Sequence, residues 1–171
     1  HHRYIHSYPT RRSSDLRLDE EKRLLSLSVN ISARHFQKAD FVEEVKRQIA
    51  ETGANPACLV LEVTESLVIG DINEVIDRMN QLRALGVCFS MDDFGTGYSS
   101  LAYLKRLPIH ELKIDRSFIQ DAPTNPNDAA LVETIVAVAR HLGLRVVAEG
   151  VETRAHADFL NTCGPVVHQG Y

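Results

Sequence analysis

The sequence contains no run approaching the roughly 18 apolar residues that a membrane-spanning helix requires. Nor does an apolar segment follow the N-terminal charges, as an export signal would demand. Cysteine is scarce: Cys58, Cys88 and Cys163 are odd in number, widely spaced and without a Cys-x-x-Cys pair. This pattern argues against a disulfide framework, fits a reducing cytoplasm, and predicts that each thiol is buried in packing. Positive charge is in deficit as well. With 19 Lys+Arg against 23 Asp+Glu the formal charge is -4, which argues against a binder of nucleic acid polymers. An anionic ligand stays compatible with that charge if a metal supplies the positive counterpart. Low-complexity linkers are missing from the main body of the chain. Its 171 residues, 44% hydrophobic and 25% charged, describe one globular domain.

The two ends read differently from the middle. His1–Leu16 is basic, rich in Ser and Arg, interrupted by Pro9 and without apolar periodicity. Its Pro9–Leu16 portion back-translates into a common sequencing-adapter sequence. Residues 1–16 are therefore expected to be a non-native or disordered extension, with the domain occupying residues 17–171. At the other end, His168-Gln169-Gly170-Tyr171 follows the apolar pair Val166-Val167, and the chain is expected to stop inside a longer protein.

Between them runs a strand-then-helix rhythm. Strands are predicted at Leu27–Ile31, Leu59–Val63, Val87–Met91, Glu111–Ile114, Arg145–Ala148 and from Val166. Helices are predicted at Phe41–Thr52, about Asp71–Leu85, Ser99–Leu107, Asn127–Leu142 and Thr153–Asn161, the first, second and fourth with an apolar stripe at helical spacing. Gly53, Gly86 and Gly143 stand where helix C-caps belong. Such alternation implies an α/β fold built on a parallel sheet covered by helices.

Polar residues recur at the strand ends: Asn30, Glu62, Asp92 with Asp93, Lys113 with Asp115, Glu149 and Gln169. In a parallel sheet the strand C-termini share one rim, where α/β sites lie. One Asp after a strand is ordinarily a turn or cap residue. Six successive polar strand ends are different, because gathered carboxylates repel by several kcal/mol unless cations neutralise them. Oxygen donors without paired His or Cys favour hard ions, Mg²⁺ or Mn²⁺, over zinc. The adjacent Asp92 and Asp93 suit a bridge between two such ions. Lys113 among these acids suits a phosphate or an attacking water; its alternative is a structural ion pair with Asp115. The segment Phe94-Gly95-Thr96-Gly97 reads as a flexible loop shaping the site or covering it.

These motifs resemble one family. Val29-Asn30-Ile31-Ser32-Ala33, Leu61–Ser66, Met91–Leu101, Leu112–Ile119, Ala148–Thr153 and Gln169-Gly170-Tyr171 are similar, in that order, to the EAL domain. That family comprises bacterial phosphodiesterases acting on cyclic di-GMP. The resemblance implies a (β/α)8 TIM-like barrel, of which about six of eight strand-helix units are present. It implies metal ligands at Asn30, Glu62, Asp92 and Asp93, with Glu149 near the metal and the attacking water. Lys113 would contact that water or a phosphate, and Gln169 would help complete the site. Glu65 would brace the Asp92–Gly97 loop, which the family uses for metal binding and for homodimer contacts, and Glu152 would support the neighbouring rim. Asp115 stands beside Lys113 in the same motif.

The implied reaction is hydrolysis of cyclic di-GMP to linear pGpG with two ions, Mg²⁺ or Mn²⁺. The implied setting is a cytoplasmic module, fused in the parent protein to GGDEF or sensory domains. The Glu-Ala-Leu signature is absent, however, since two strands should precede Leu27. Its glutamate is a family metal ligand, so this chain alone is expected to be inactive or weakly active. The alternative is a degenerate module that binds cyclic di-GMP or a protein partner without cleaving it.

Overall fold

The computed structural model describes residues 26–68, 71–95 and 101–170. Six strands form one all-parallel sheet in simple sequential order: β1 (Leu27–Ile31), β2 (Leu59–Thr64), β3 (Cys88–Phe94), β4 (Glu111–Ile114), β5 (Arg145–Glu149) and β6 (Val167–Gln169). The crossovers carry helices α1 (Ala33–Phe36), α2 (Phe41–Thr52), α3 (Ile72–Arg83), α4 (Leu101–Leu104), α5 (Arg116–Asp121), α6 (Pro126–His141) and α7 (Arg154–Cys163). Strands added always on the same side, with right-handed crossovers, curl into an arc of a barrel. Among the described residues, β1 and β6 are the open edges of that arc.

Local sequence explains the helices. Asp71 accepts hydrogen bonds from Asn73 N and Glu74 N and so starts α3, while Asn125 caps α6 and Pro126 takes its first turn. Gly53 ends α2 in the left-handed conformation. The apolar stripes then face the sheet: Val75, Met79 and Leu82 on α3, and Val132, Ile135, Val136 and Ala139 on α6, are all buried.

The strands sort their side chains by period two. Leu61, Val63, Phe89, Met91, Leu112, Ile114, Val146 and Ala148 lie in the core shared with the helices. Each of these but Ala148 contributes about 1.5–3 kcal/mol of burial free energy. The alternate positions, facing the inside of the arc, include Asn30, Glu62, Ser90, Asp92, Glu111, Lys113 and Glu149, as the registers require. Parallel sheets buried on both faces usually read as continuous apolar runs. Here the inner face is mostly polar, with Val60 and Val147 as its buried apolar members.

Several expectations are corrected. Strand β3 does not stop at Met91; it runs through Asp92 and Asp93 to Phe94, with a register shift between Met91 and Phe94 that absorbs the extra length. Phe94 is accordingly a buried core residue and not part of a flexible loop. The helix expected at Ser99–Leu107 is described only as Leu101–Leu104, residues 96–100 lying outside the described set. Two short helices were not anticipated, α1 and α5, capped by Ser32 and Asp115. The three cysteines are free, as expected, but partly exposed and not buried. No helix among the described residues is long and apolar enough to cross a membrane.

Candidate functional site

The rim at the strand C-termini gathers the candidate residues. Asn30 and Glu62 are partners in the β1–β2 register, which sets their side chains next to each other on the inner face. Asp92 and Lys113 stand on β3 and β4 of the same face, and Glu149 ends β5. Lys113 is the hub. Its Nζ lies 2.6 Å from Glu149 Oε1, 3.0 Å from Asp92 Oδ1 and 3.3 Å from Glu62 Oε2, with the whole residue 5% exposed. Burial by itself would lower the ammonium pKa. The hydrogen bond to Glu149 and the charges of Asp92, Glu62 and Glu149 together outweigh it, holding the lysine above its ordinary value. The alternative of a Lys113–Asp115 pair is not what forms: acids brought in by three other strands take the ammonium.

Asp93 reaches the same rim by a backbone device. In a regular strand it would point away from Asp92, into the helix-facing core. At the register shift it instead takes φ = 52°, the one positive φ at a non-glycine residue among those described. Its carboxylate thereby joins Asp92 and Glu149 in a group whose ligand atoms all lie within 4.8 Å of one another. Burial, the charge of Asp92, and the charge and hydrogen bond of Asp115 push the Asp93 pKa up to about 6. Asp115 moves the other way. Although burial opposes it, hydrogen bonds from Ser117, Asp93 and the Arg116 backbone hold Asp115 below its usual value. Asp115 thus faces Asp93 and caps α5.

The supporting candidates form a second tier. Buried Glu65 accepts a 2.7 Å hydrogen bond from Gly95 N at Oε1, close after the aspartate pair, and its Oε2 is buried with no partner among the described residues. Gly95 has φ = 102°, and a Cβ there would meet Phe118 Cε2 at 2.9 Å, so the turn accepts no side chain. Thr96 and Gly97 lie outside the described residues. Glu152 stands 3.8 Å from Arg116 on the neighbouring rim, and Gln169 pairs with Glu149 in the β5–β6 register. The backbone oxygen of Gln169 also accepts from Val151 N at 3.1 Å, joining the β5 loop to the end of β6.

Sequence reasoning missed a layer just below this rim. Ser90, Glu111 and Arg145 share the inner face, where Ser90 Oγ donates to Glu111 Oε1 at 3.0 Å and Arg145 Nε lies 3.4 Å from Glu111 Oε2. The period-two spacing of Ser90 before Asp92, and of Glu111 before Lys113, was the available signal.

As chemistry, this is a set of hard oxygen donors around one buried ammonium. Three carboxylates converge closely enough to share an ion, and the elevated Asp93 pKa marks negative charge left unneutralised. The residues therefore fit a divalent cation.

Fold and rim together define an α/β domain of the TIM-barrel type, with an acidic site at the C-terminal ends of its strands. The EAL domain family model matches residues 10–171, starting within the N-terminal segment set aside above. The chain belongs to the EAL domain family. It is 48% identical over 146 residues to the bifunctional diguanylate cyclase/cyclic di-GMP phosphodiesterase MucR of Pseudomonas aeruginosa, covering 85% of this chain and 21% of that protein. It is 46% identical over 147 residues to the cyclic di-GMP phosphodiesterase NbdA of the same organism, covering 86% and 19%. A solved structure of the PaMucR phosphodiesterase in complex with c-di-GMP superposes with a TM-score of 0.80, covering 85% of this chain and 59% of that one. The manganese/cy-diGMP complex of Klebsiella pneumoniae BlrP1 gives 0.76 at 31% identity, covering 85% and 38%. The chain thus spans about a fifth of the length of these two curated relatives.

Proposed function

We propose that this chain carries most of the active site of a cyclic di-GMP phosphodiesterase, and that the parent protein opens cyclic di-GMP to linear pGpG. The observation that carries the proposal is the convergence of Glu62, Asp92 and Glu149, from three strands, on Lys113, with Asp93 turned to the same rim by the bulge. Asn30, Glu62, Asp92 and Asp93 would hold Mg²⁺ or Mn²⁺, with Glu149 beside them. Two such ions would supply an activated water and neutralise charge developing on the leaving oxygen.

The chain's own residues do the rest. Lys113 stays protonated and presents a fixed positive charge to a phosphodiester oxygen. Glu149, 2.6 Å from that ammonium, orients the attacking water. Glu65 fixes the turn after Asp93 through Gly95 N, while Glu152 with Arg116, Gln169 and the Asp115 cap hold the neighbouring rim. The relatives' greater length suits a module fused to GGDEF or sensory domains, and the family resemblance suggests a cytoplasmic setting and a homodimer. Among the described residues six strands with two open edges leave the rim unclosed, so the chain alone should turn over slowly or not at all.

The test is chromatography of cyclic di-GMP incubated with the full-length product of the native locus and Mn²⁺. Linear pGpG should accumulate, and Glu62→Gln or Asp92→Asn should slow it by at least about 100-fold. Equal turnover in those variants overturns the ligand assignment. Tight nucleotide binding without pGpG overturns catalysis and identifies a receptor.

A further inference from the structure

From the rim at β1 and β2 to the layer below it at β3 to β5, one inner-face row crosses five strands. The registers join Asn30 to Glu62, Glu62 to Ser90, Ser90 to Glu111 and Glu111 to Arg145. Its first two members are proposed cation ligands; the last three have no part in the chemistry above. Glu111 is nevertheless a buried carboxylate, held by the fully buried Ser90 hydroxyl at 3.0 Å and by the Arg145 guanidinium at 3.4 Å. Burying a carboxylate is costly even when it is paired, so its presence calls for a role.

The backbone suggests one. Strands β3 and β4 are in register at Ser90–Glu111 and Met91–Leu112, lose register across Asp92 and Asp93, and regain it at Phe94–Ile114. The ladder therefore does not set the height of the aspartate pair against Lys113. The Ser90–Glu111 bond is a side-chain tie between these two strands one residue pair below the gap, on the inner face. It lies two residues before Asp92 on β3 and two before Lys113 on β4, on the same face as both.

We propose that Glu111 is a positioning residue of the cation site: through Ser90 it clamps β4 to β3 beneath the bulge, with Arg145 holding its other oxygen from β5, and so places Asp92 and Asp93 relative to Lys113. This rests on the reading of the rim as a divalent-cation site. The test titrates the chain with Mn²⁺, following free ion by electron paramagnetic resonance, with urea midpoints measured in parallel.

Glu111→Leu removes the acceptor and should weaken Mn²⁺ binding by the folded protein about tenfold, the size seen when groups orienting metal ligands are lost. Glu111→Gln keeps an acceptor for Ser90 and should stay within about threefold of the unsubstituted chain. A merely structural role would lower the urea midpoint and leave Mn²⁺ affinity alone. Folded Glu111→Leu binding Mn²⁺ at the unsubstituted affinity overturns the inference, as does an equal loss in Glu111→Gln. Should Glu111→Leu fail to fold, Ser90→Ala breaks the same tie by removing one atom, and unchanged affinity there is equally decisive against it. Absence of saturable Mn²⁺ binding by the unsubstituted chain overturns the cation-site reading, and this inference with it.

Discussion

Replacing Lys113 with methionine removes the one buried positive charge that three acids share while keeping much of the side-chain volume. In the native chain the ammonium lies within 3.3 Å of oxygens from Glu62, Asp92 and Glu149. Without it these carboxylates face one another in a site where Lys113 itself is 5% exposed. Removing one partner of a buried ion pair costs about 3–5 kcal/mol. With a urea slope of about 1.5 kcal/mol per molar, that is a fall in midpoint of roughly 2–3 M. Domains of this size have only about 5–15 kcal/mol to lose. A divalent ion should take over the neutralisation, since a ligand at 100 times its dissociation constant stabilises the folded state by about 2.7 kcal/mol. The assay is urea unfolding of Lys113→Met and the unsubstituted chain, each in chelator and in excess Mn²⁺. The expected result is a large deficit in chelator that shrinks with Mn²⁺. A variant within about 1 kcal/mol of the unsubstituted chain in chelator, and no better off with Mn²⁺, would refute the reasoning.

The remaining predictions concern pH, backbone and a helix cap. In chelator, stability should fall as pH rises from about 4 to about 6: folded Asp93, with its pKa near 6, keeps a proton that the unfolded chain, at the ordinary 3.8, has released. Asp115 is held below the ordinary value, so its contribution is lost only as pH drops beneath this window; Asp93→Asn should remove the slope between pH 4 and 6, and an unchanged slope contradicts the assignment. Gly170→Ala would set a Cβ 2.0 Å from Val151 O, forcing the β5 loop from the end of β6. It should cost about 2 kcal/mol and speed amide exchange at Val151, whose N–H donates to Gln169 O. Buried His156 accepts from Glu152 N through Nδ1 at 3.3 Å while Thr153 caps α7, so the side chain ties down the residue just before the cap, one position short of a capping box. His156→Ala should lose about 1 kcal/mol and His156→Gln should restore most of it in thermal melts. Unaltered melts for His156→Ala would remove the cap from the account.

Much of this was legible in the chain. The spans Leu27–Ile31, Phe41–Thr52 and Glu111–Ile114 coincide with the sequence reading, because β-branched runs, an apolar stripe and Gly53 are local signals. The Asp92-Asp93 pair misled, since two aspartates read as a strand end; only the bulge, with Asp93 at positive φ, lets both belong to β3. Helices α1 and α5 are too short to show periodicity, and their caps Ser32 and Asp115 were the only trace. Lys113 meets the strand-end acids, as expected, and the alternative pair with Asp115 fails for another reason. Asp115 is near in sequence, whereas Glu62 is 51 positions away and arrives only through the parallel register. Proximity along a chain says little about which acid a buried cation meets. The Ser90–Glu111–Arg145 layer had its signal in the alternation of polar residues, which attention to strand ends alone passes over.

Anomalous scattering at the manganese edge, from crystals of the chain grown with MnCl₂, bears most directly on the central claim. The account predicts a peak within about 2.5 Å of carboxylate oxygens of Glu62, Asp92 or Asp93, close to Asn30 and Glu149 and lost in Asp92→Asn. Well-ordered rim side chains with no manganese between them, or a peak at some other face of the molecule, would contradict it.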